Sequence, residues 1–479
     1  MIKSDPVNLN IKVCAIPEGL GESMLCDAVA LAVEALSWME LSGLSERQGF
    51  IKTARQLEIG NMDSLKLAFR IMTETLRRLN TIDMMINYAL APKRIGDWKL
   101  GVKNFLRLFT YWVHFRKANS RETVEFLNCG RKVLGLDELQ PAEYSLGKIL
   151  ITKLDMLTAK TPEPARVGYE TYHEEWFVQY CYRLLGRDEA LRMLKRNSRP
   201  PPIYIRTNRL REDSDKAVDE IMSEGVSLVK VEGVKDLWRV DKTPKPLVKL
   251  KSYRKGMFQI QDLASQVACL AADPKPGSIV LDVCAAPGVK TCSLAQLMGN
   301  EGLIISVDIS KVRMKVWSRE IHRMGVKSTY PIICDARQCL PFKIFVDVTL
   351  LDPPCSNSGL FAKAPSAKWR VKPPDIQRLA ANQYRMLEES ARHVKVGGTL
   401  VYSTCSILME ENELIIERFL KLHPEFTLSP IQLSLGSDGL RGLDDAKRFY
   451  THRDESNGYF IAKIMRLEQT SDEPYEQYL

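Results

Sequence analysis

Apolar residues recur at three- and four-residue spacing through the first third of the chain, which is the period of an amphipathic helix. After Asp63, one face of such a helix carries Leu65, Phe69, Met72, Leu76 and Leu79, with basic residues between them. Residues 105–115 and 124–134 have the same spacing, and the alternation typical of a strand is hard to find. The pattern predicts an all-helical bundle domain over residues 1–155.

Prolines punctuate the next segment, residues 156–250. Thr161-Pro-Glu-Pro164 precedes two helical patterns between residues 174 and 195, and Pro200-Pro-Pro202 precedes a strand-like run over 203–208. This mixture predicts a small α+β module that ends in a linker.

Short apolar runs alternate with helical segments from residue 251 to 470. The runs that predict strands are 279–283, 303–307, 346–351, 399–403 and 459–463. Alternation of this kind predicts a doubly wound, Rossmann-like α/β sheet, in which ligands bind at the carboxyl ends of the strands. Residues 471–479 are expected to form a tail.

The charge balance is mildly basic. The chain of 479 residues has 68 Lys and Arg against 59 Asp and Glu, a formal charge of +9, which favours a polyanionic partner. The opening residues lack the apolar core of a signal peptide, and no apolar run approaches the roughly eighteen residues that cross a bilayer. We therefore expect a cytoplasmic protein with no membrane partner.

Eleven cysteines are scattered along the chain, with no CxxC pair and no histidine cluster beside them. This distribution argues against a disulfide framework and against a zinc site, so we expect no metal and mostly free thiols.

A turn of small residues follows the predicted strand 279–283. It consists of Cys284, Ala285, Ala286, Pro287 and Gly288, and a helix is predicted to begin near Lys290. Small residues let the backbone approach a ligand, and a helix start offers free N–H groups. An ordinary strand-to-helix connection is the alternative.

Two carboxylates strengthen the ligand interpretation. Asp308 ends the next predicted strand, where an acidic residue suits a ribose hydroxyl pair, and Asp335 ends a possible third strand, within reach of an adenine amino group. The turn lacks both the GxGxxG and the Walker spacing. S-adenosylmethionine fits these residues, because it carries no phosphate and its sulfonium is favoured near carboxylates.

Cys355, in Asp352-Pro-Pro-Cys355-Ser, and Cys405, in Ser-Thr-Cys405-Ser, end two neighbouring apolar runs. Methylation of cytosine at C5 requires a thiolate that adds to C6, an acidic group at N3 and the amino group, and a base for the C5 proton. Cys405, Asp352 and Cys355 suit these tasks. The alternative is that the cysteines are buried core thiols.

These segments resemble the Sun/Fmu-type (RsmB-like) RNA cytosine-C5 methyltransferases, a similarity that extends from about Tyr169 to Lys463. The matching motifs are Gln261-Asp-Leu-Ala-Ser-Gln266, Asp282-Val-Cys-Ala-Ala-Pro-Gly-Val-Lys-Thr291, Leu351-Asp-Pro-Pro-Cys-Ser-Asn-Ser-Gly359, Lys368-Trp-Arg370, Gly397-Gly-Thr-Leu-Val-Tyr-Ser-Thr-Cys-Ser406 with Glu411-Asn-Glu413, and Asn457-Gly-Tyr-Phe-Ile-Ala-Lys463.

The resemblance implies a class I S-adenosylmethionine-dependent methyltransferase that forms 5-methylcytosine in RNA. It assigns the nucleophile to Cys405, product release to Cys355, and cofactor binding to residues matching Cys284 to Gly288, Lys290, Asp308, Arg313, Asp335 and Asp352. Lys290 is also expected near the target base. Two departures stand out: Val289 replaces the second glycine of the usual Gly-Gly-Lys-Thr, and Asn457-Gly-Tyr-Phe replaces Asp-Gly-Phe-Phe.

The first 155 residues resemble, more weakly, the NusB-like domain of ribosomal-RNA members of this family. Basic residues interleaved with aromatic ones there suit either an RNA-facing surface or a solvated face over an aromatic core: Lys93, Arg94, Lys99, Lys103, Arg107, Arg116 and Lys117, with Tyr111, Trp112 and His114.

Ribosomal RNA is the substrate that the resemblance favours, with transfer RNA as the main rival. A non-catalytic RNA-binding or ribosome-assembly factor and a DNA cytosine methyltransferase are the alternatives. A target base in duplex RNA must leave its stack, so a looped substrate is expected. Nothing in the sequence requires more than a monomer.

Overall fold

The structure is a computed structural model, and it describes residues 22–211 and 216–468. The chain divides into two compact units: Met1–Pro200 with Ala364–Arg370, and Pro201–Lys363 with Val371–Leu479. The predicted tail, 471–479, lies outside the described residues. The predicted division at residues 155 and 250 stays a prediction.

Eleven helices make up the described part of the first unit before residue 200, together with a 3₁₀ turn at Ile95–Asp97 and a π-helical turn at Tyr111–Phe115 that continues α5. They are α1 (Glu22–Ser42), α2 (Glu46–Gln56), α3 (Met62–Arg77), α4 (Leu79–Leu90), α5 (Leu100–Thr110), α6 (Ser120–Leu134), α7 (Leu136–Ile151), α8 (Leu154–Thr158), α9 (Ala165–Thr171), α10 (Glu175–Leu185) and α11 (Arg187–Asn197). The predicted helical N-terminal region is confirmed.

Helix α3 shows why this region is helical. The Asn61 side chain caps it by accepting the N–H groups of Asp63 and Ser64, which would otherwise lack partners. Its spaced residues Leu65 and Met72 enter the core of the unit, as predicted.

A disulfide joins Cys26 of α1 to Cys129 of α6, 103 residues apart in the sequence. The spacing of the cysteines did not predict this pair, because only the packing of α1 on α6 brings Cys26 and Cys129 together. The described residues also hold eight free cysteines, so the expectation of mostly free thiols stands.

The second unit begins with a four-stranded antiparallel sheet in the order β2-β3-β1-β4. Its elements are β1 (Ile203–Thr207), α12 (Ala217–Ser223), β2 (Ser227–Lys230), β3 (Leu237–Lys242), α13 (Lys251–Arg254) and β4 (Phe258–Ile260). The predicted strand 203–208 corresponds to β1, one of the two inner strands of this sheet.

A larger sheet follows, in the order β11-β12-β13-β9-β8-β5-β6-β7, with β10 paired to β13. Strands β5 to β9 are parallel, whereas β13 is antiparallel to β9. The elements are α14 (Leu263–Ala272), β5 (Ile279–Val283), α15 (Val289–Leu297), β6 (Leu303–Asp308), α16 (Lys311–Met324), β7 (Thr329–Ile333), β8 (Val346–Leu351), α17 (Ala367–Arg370), α18 (Pro373–Arg392), β9 (Val394–Thr404), α19 (Glu413–Leu422), β10 (Phe426–Ser429), β11 (Ser437–Asp438), β12 (Lys447–Phe449) and β13 (Tyr459–Arg466).

Helices cover both faces of this sheet, so the predicted doubly wound fold is confirmed. Val280 and Ile304 pack with α14, α15 and α16, whereas the neighbouring residues Leu281 and Ile305 pack with α18 and α19. Successive side chains of a strand point to opposite faces, which explains why these strands read as continuous apolar runs.

The segment Ala364–Arg370, which contains α17, belongs to the helical unit although it lies far along the chain. Its Lys368 is buried and donates its Nζ to the backbone oxygens of Arg77 at 3.2 Å and Tyr172 at 2.8 Å. Trp369 donates its indole N–H to the Leu76 oxygen at 2.7 Å. These bonds satisfy carbonyl groups at the ends of α3 and α9.

Candidate active site

The carboxyl ends of β5, β6, β8 and β9 bring together the residues that the sequence singled out. Val283 pairs with Val307 on one side and Leu351 on the other, and Leu351 pairs with Tyr402. Asp308, Asp352 and Cys405 therefore follow adjacent positions at one edge of the sheet, where ligands of such folds bind.

The thiols of Cys355 and Cys405 lie in direct contact, with 3.1 Å between the two Sγ atoms. Asn357 connects both loops, because its Oδ1 accepts from Cys405 Sγ at 3.1 Å and its Nδ2 donates to the Cys355 oxygen at 3.2 Å. The hydrogen bond with Cys405, together with burial, raises the pKa of Cys355 well above its ordinary value. The Cys355 thiol therefore keeps its proton at neutral pH.

Asp352 is held from two sides. Lys290 Nζ lies 2.5 Å from its Oδ2, while the hydroxyl groups of Tyr459 and Ser403 donate to its Oδ1 at 3.1 and 3.4 Å. Burial alone would lower the pKa of Lys290, but the charge of Asp352 beside it raises that pKa well above its ordinary value. Lys290 is therefore a fixed cation beside Asp352.

Asp308 is almost completely buried and is held by the turn that follows β5. Its Oδ2 accepts the Ala286 N–H at 3.2 Å and lies 3.1 Å from Arg313 Nη1, and its Oδ1 accepts the Ser310 N–H at 2.9 Å. Arg313 also donates to the Ala286 oxygen. Asp308 and Arg313 thus fix the backbone of the turn on which a ligand would lie.

Asp335 follows β7 and forms an ion pair with Arg337 in its own turn, with 2.6 Å between Oδ2 and Nη2. The hydrogen bond from Arg337 lowers the pKa of Asp335, so this carboxylate is charged at neutral pH.

Asp282 is a buried carboxylate in β5, just before the turn. The sequence did not indicate which residues it contacts. It accepts the Thr291 hydroxyl at 2.5 Å, and Trp317 donates its indole N–H to the same hydroxyl at 3.0 Å. Burial raises the pKa of Asp282 to about 7.

Gly288 requires the backbone freedom of glycine. Its φ is +104°, and a Cβ there would lie 3.1 Å from the ring of Trp317. Val289, the first departure from the family pattern, is the first residue of α15. Glycine at 288 thus has a steric reason.

Asn457, the second departure, donates its Nδ2 to Asp262 Oδ2 at 2.5 Å, while Ser456 donates to the other oxygen of Asp262 at 2.9 Å. Asp262 also caps α14 by accepting the Ala264 N–H. A carboxylate at 457 would face that of Asp262, so asparagine suits this position.

The basic and aromatic residues of the helical unit take mainly structural positions. Trp112 and Tyr111 are buried in its core. Arg107 is buried and paired with Asp83 at 2.6 Å, and Arg116 is paired with Glu122 at 2.6 Å. Lys93, Arg94 and Lys117 remain exposed. The aromatic-core alternative accounts for most of this set.

Sequence reasoning missed several side chains of the site, namely Asn357, Ser403 and the hydroxyl of Tyr459. The tyrosine was visible as a departure from the family's phenylalanine, but its partner was not. Within the described residues, no group of acidic, histidine and cysteine side chains is arranged to hold a metal ion. Among those same residues, no helix is both long and apolar enough to cross a membrane.

Comparison with known proteins agrees with this architecture. Residues 269–465 match the family described as 16S rRNA methyltransferase RsmB/F, and residues 173–244 match its ferredoxin-like domain. The crystal structure of PH0851 is similar over 95% of this chain and all of that chain, with a TM-score of 0.78 and 28% identity.

Two curated relatives provide functional comparisons. The probable ribosomal RNA small subunit methyltransferase B of Bacillus subtilis is 34% identical over 264 residues, which cover 54% of this chain and 58% of the relative. The tRNA (cytosine(72)-C(5))-methyltransferase of Pyrococcus horikoshii is 35% identical over 226 residues, 46% of this chain and 55% of that one. The chain spans about half the length of the curated relatives it matches.

The fold and the strand-end site define a Rossmann-like methyltransferase domain joined to a small antiparallel module. Through residues 173–244 and 269–465, the chain is similar to the RsmB/F family of methyltransferases.

Proposed function

We propose that this protein transfers a methyl group from S-adenosylmethionine to C5 of cytosine in RNA, with ribosomal RNA as the substrate. The observation that carries the proposal is the pair of thiols 3.1 Å apart at the same edge of the sheet as the Lys290–Asp352 ion pair. The similarity of residues 269–465 to the RsmB/F family and the relatives named for ribosomal RNA and for cytosine C5 support it.

The donor set at the strand ends fits S-adenosylmethionine. Carboxylates of Asp308 and Asp335 suit ribose hydroxyls and an amino group, and Asp352 adds negative charge where a sulfonium is favoured. The turn from Cys284 to Gly288 with Lys290 and Arg313 completes the cofactor residues that we propose. When bound, the cofactor supplies an electrophilic methyl group.

The protein's own groups divide the work on the base. Cys405 adds to C6 as the thiolate, which makes C5 nucleophilic. Asp352, oriented by Lys290 and Tyr459, accepts a hydrogen bond from the cytosine amino group. Cys355, whose raised pKa keeps it protonated, gives that proton to the departing Cys405 sulfur 3.1 Å away and takes up the C5 proton in its place, so that the cytosine ring is restored.

Transfer RNA is the second candidate substrate, favoured by the relative named for tRNA cytosine 72. In either RNA the target must be unstacked to reach the thiols. We further propose that RNA is the only macromolecular partner needed, that the protein acts as a monomer, and that it works in the cytoplasm on RNA during ribosomal RNA processing.

Transfer of labelled methyl from S-adenosylmethionine to purified ribosomal RNA and transfer RNA, presented separately, tests the proposal. The product is digested to nucleosides and identified by mass spectrometry. We expect 5-methylcytidine in one RNA, lost on the order of a thousandfold or more in Cys405→Ala and retained in Cys339→Ala, which removes an exposed thiol of the same unit.

Label in a different nucleoside, or undiminished label in Cys405→Ala, would contradict the chemistry. Absence of both methylation and calorimetric binding of S-adenosylmethionine would favour the RNA-binding factor instead.

A further inference from the structure

Glu411 is a carboxylate with no exposed surface, at the end of the 3₁₀ turn Met409–Glu411 that follows β9. Its Oε1 accepts the Ser356 N–H at 2.8 Å and Gln383 Nε2 at 2.9 Å. Its Oε2 accepts the hydroxyls of Ser356 and Ser406, each at 2.5 Å. All four donors are neutral groups, so the carboxylate is satisfied by hydrogen bonds alone.

The two serines are the residues that directly follow the two cysteines of the site. Ser356 follows Cys355 and Ser406 follows Cys405, and their hydroxyl oxygens lie 3.2 Å apart. Both serines are buried. Since consecutive Cα atoms are about 3.8 Å apart, one carboxylate oxygen ties the two cysteine loops together one residue from each thiol.

Glu411 is itself held in place by the surrounding fold. Tyr402 of β9 donates its hydroxyl to the Glu411 backbone oxygen at 2.6 Å. Gln383 of α18 donates to the Pro354 oxygen at 2.9 Å as well as to the carboxylate. Through Glu411, both cysteine loops are thus anchored to strand β9 and helix α18.

We propose that Glu411 is a positioning residue that sets the separation of Cys355 and Cys405, so that both thiols serve one base. This inference rests on the proposed function. A buried carboxylate is costly in free energy, and hydrogen bonds to a charged acceptor are short and directional. Those bonds fix the two loops in a way that apolar packing in the same volume would not.

The chemical need for such positioning follows from the substrate. C5 and C6 are bonded neighbours in the cytosine ring, so the thiol that adds at C6 and the thiol that assists release act within one bond length of each other. Misplacement by about 1 Å costs on the order of a hundredfold in rate.

Glu411→Gln tests the proposal with little change in volume. The glutamine amide keeps one acceptor oxygen and replaces the other with an NH₂ group. That NH₂ group then faces two of the four groups that now donate to Glu411. Either the serine hydroxyls or the Ser356 N–H and Gln383 pair then lose their acceptor. Glu389→Gln is the matched control, because Glu389 is a buried carboxylate on α18 that accepts the Leu340 N–H at 2.7 Å.

The first readout is independent of RNA and cofactor: the rate at which diamide joins Cys355 to Cys405, followed by mass spectrometry of the linked peptides. We expect the rate of thiol joining in Glu411→Gln to fall about tenfold or more, because the two Sγ atoms are no longer held at a fixed separation. Glu389→Gln should keep the wild-type rate. Equal rates in all three folded proteins would overturn the proposal.

The second readout is the kinetics on the RNA that wild type methylates. We expect kcat to fall in Glu411→Gln while KM for RNA is unchanged, and a raised KM with unchanged kcat would contradict a positioning role. If wild type methylates no RNA, the proposed function fails, whereas the thiol-joining rates still decide the role of Glu411.

Ser356→Ala and Ser406→Ala provide the test should Glu411→Gln fail to fold, because each deletes a single hydroxyl. Each is expected to slow thiol joining, and the double variant should slow it by less than the product of the two effects, since both act through one carboxylate. Wild-type rates in both single variants would overturn the proposal.

Discussion

Tyr459 donates its phenolic hydroxyl to Asp352 Oδ1 at 3.1 Å, while Lys290 lies 2.5 Å from the other oxygen of the same carboxylate. The two contacts fix the rotation of Asp352 at the end of β8. The related motif has phenylalanine at the tyrosine position, so this chain adds a hydrogen bond to the carboxylate that we propose reads the cytosine edge.

Tyr459→Phe should weaken that orientation without disturbing the ring's packing. We expect kcat/KM for RNA methylation to fall about tenfold, the equivalent of roughly 1.4 kcal/mol for a hydrogen bond to a charged group. Tyr144→Phe, at an exposed tyrosine of the helical unit, is the control. Unchanged kcat/KM in Tyr459→Phe would show that Lys290 and Ser403 orient Asp352 without the tyrosine hydroxyl.

Asn457→Asp, which restores the residue of the family pattern, should destabilise this chain. The new carboxylate would face Asp262, which now accepts hydrogen bonds from Asn457 and Ser456. We expect a loss of about 1–2 kcal/mol in the free energy of unfolding, measured by urea denaturation at pH 7.

The companion variant Asn457→Asp with Asp262→Asn reverses the two partners. Because it restores one donor and one acceptor, it should recover part of the lost stability. A double variant that loses the sum of both single effects would contradict a direct interaction between the two positions.

Sequence patterns predicted the strand-end site well because its carboxylates and thiols lie at the ends of apolar runs. Asp308, Asp352 and Cys405 each follow such a run, and parallel strands carry their ends to one edge. The doubly wound fold follows from the same alternation of strands and helices.

Contacts between residues far apart in the chain could not be predicted from the sequence. Glu411 meets Ser356 across 55 residues and Cys26 meets Cys129 across 103. The hydrophobic period says which face of an element is buried, but it does not say which polar side chains meet inside. For the same reason Trp112 suited both an RNA surface and a core until its burial was known.

The pH dependence of stability should carry a contribution from Asp282, whose pKa burial raises from 3.8 to about 7. Between these values the folded protein binds more protons at this site than the unfolded chain does. The free energy of unfolding from this group therefore falls as pH rises from about 4 to about 7, and levels off above that.

Asp282→Asn removes the titration while keeping an oxygen that accepts from Thr291. Urea denaturation at pH 5, 6, 7 and 8 should give a smaller decline with pH for the variant than for wild type. Asp438→Asn, at an exposed carboxylate, should leave the wild-type slope unchanged. Parallel curves for wild type and Asp282→Asn would contradict a raised pKa.

Cys355→Ala should separate formation of the covalent adduct from its loss. Cys405 keeps its contact with Asn357, 3.1 Å from its Sγ, so addition to the base is expected to proceed. The variant lacks the thiol that lies 3.1 Å from Cys405 and keeps its proton, so release should slow. We expect a protein–RNA adduct that survives denaturing electrophoresis and accumulates with S-adenosylmethionine present. Cys355→Ala with Cys405→Ala should form none, and turnover by Cys355→Ala at the wild-type rate, without adduct, would refute this division of labour between the thiols.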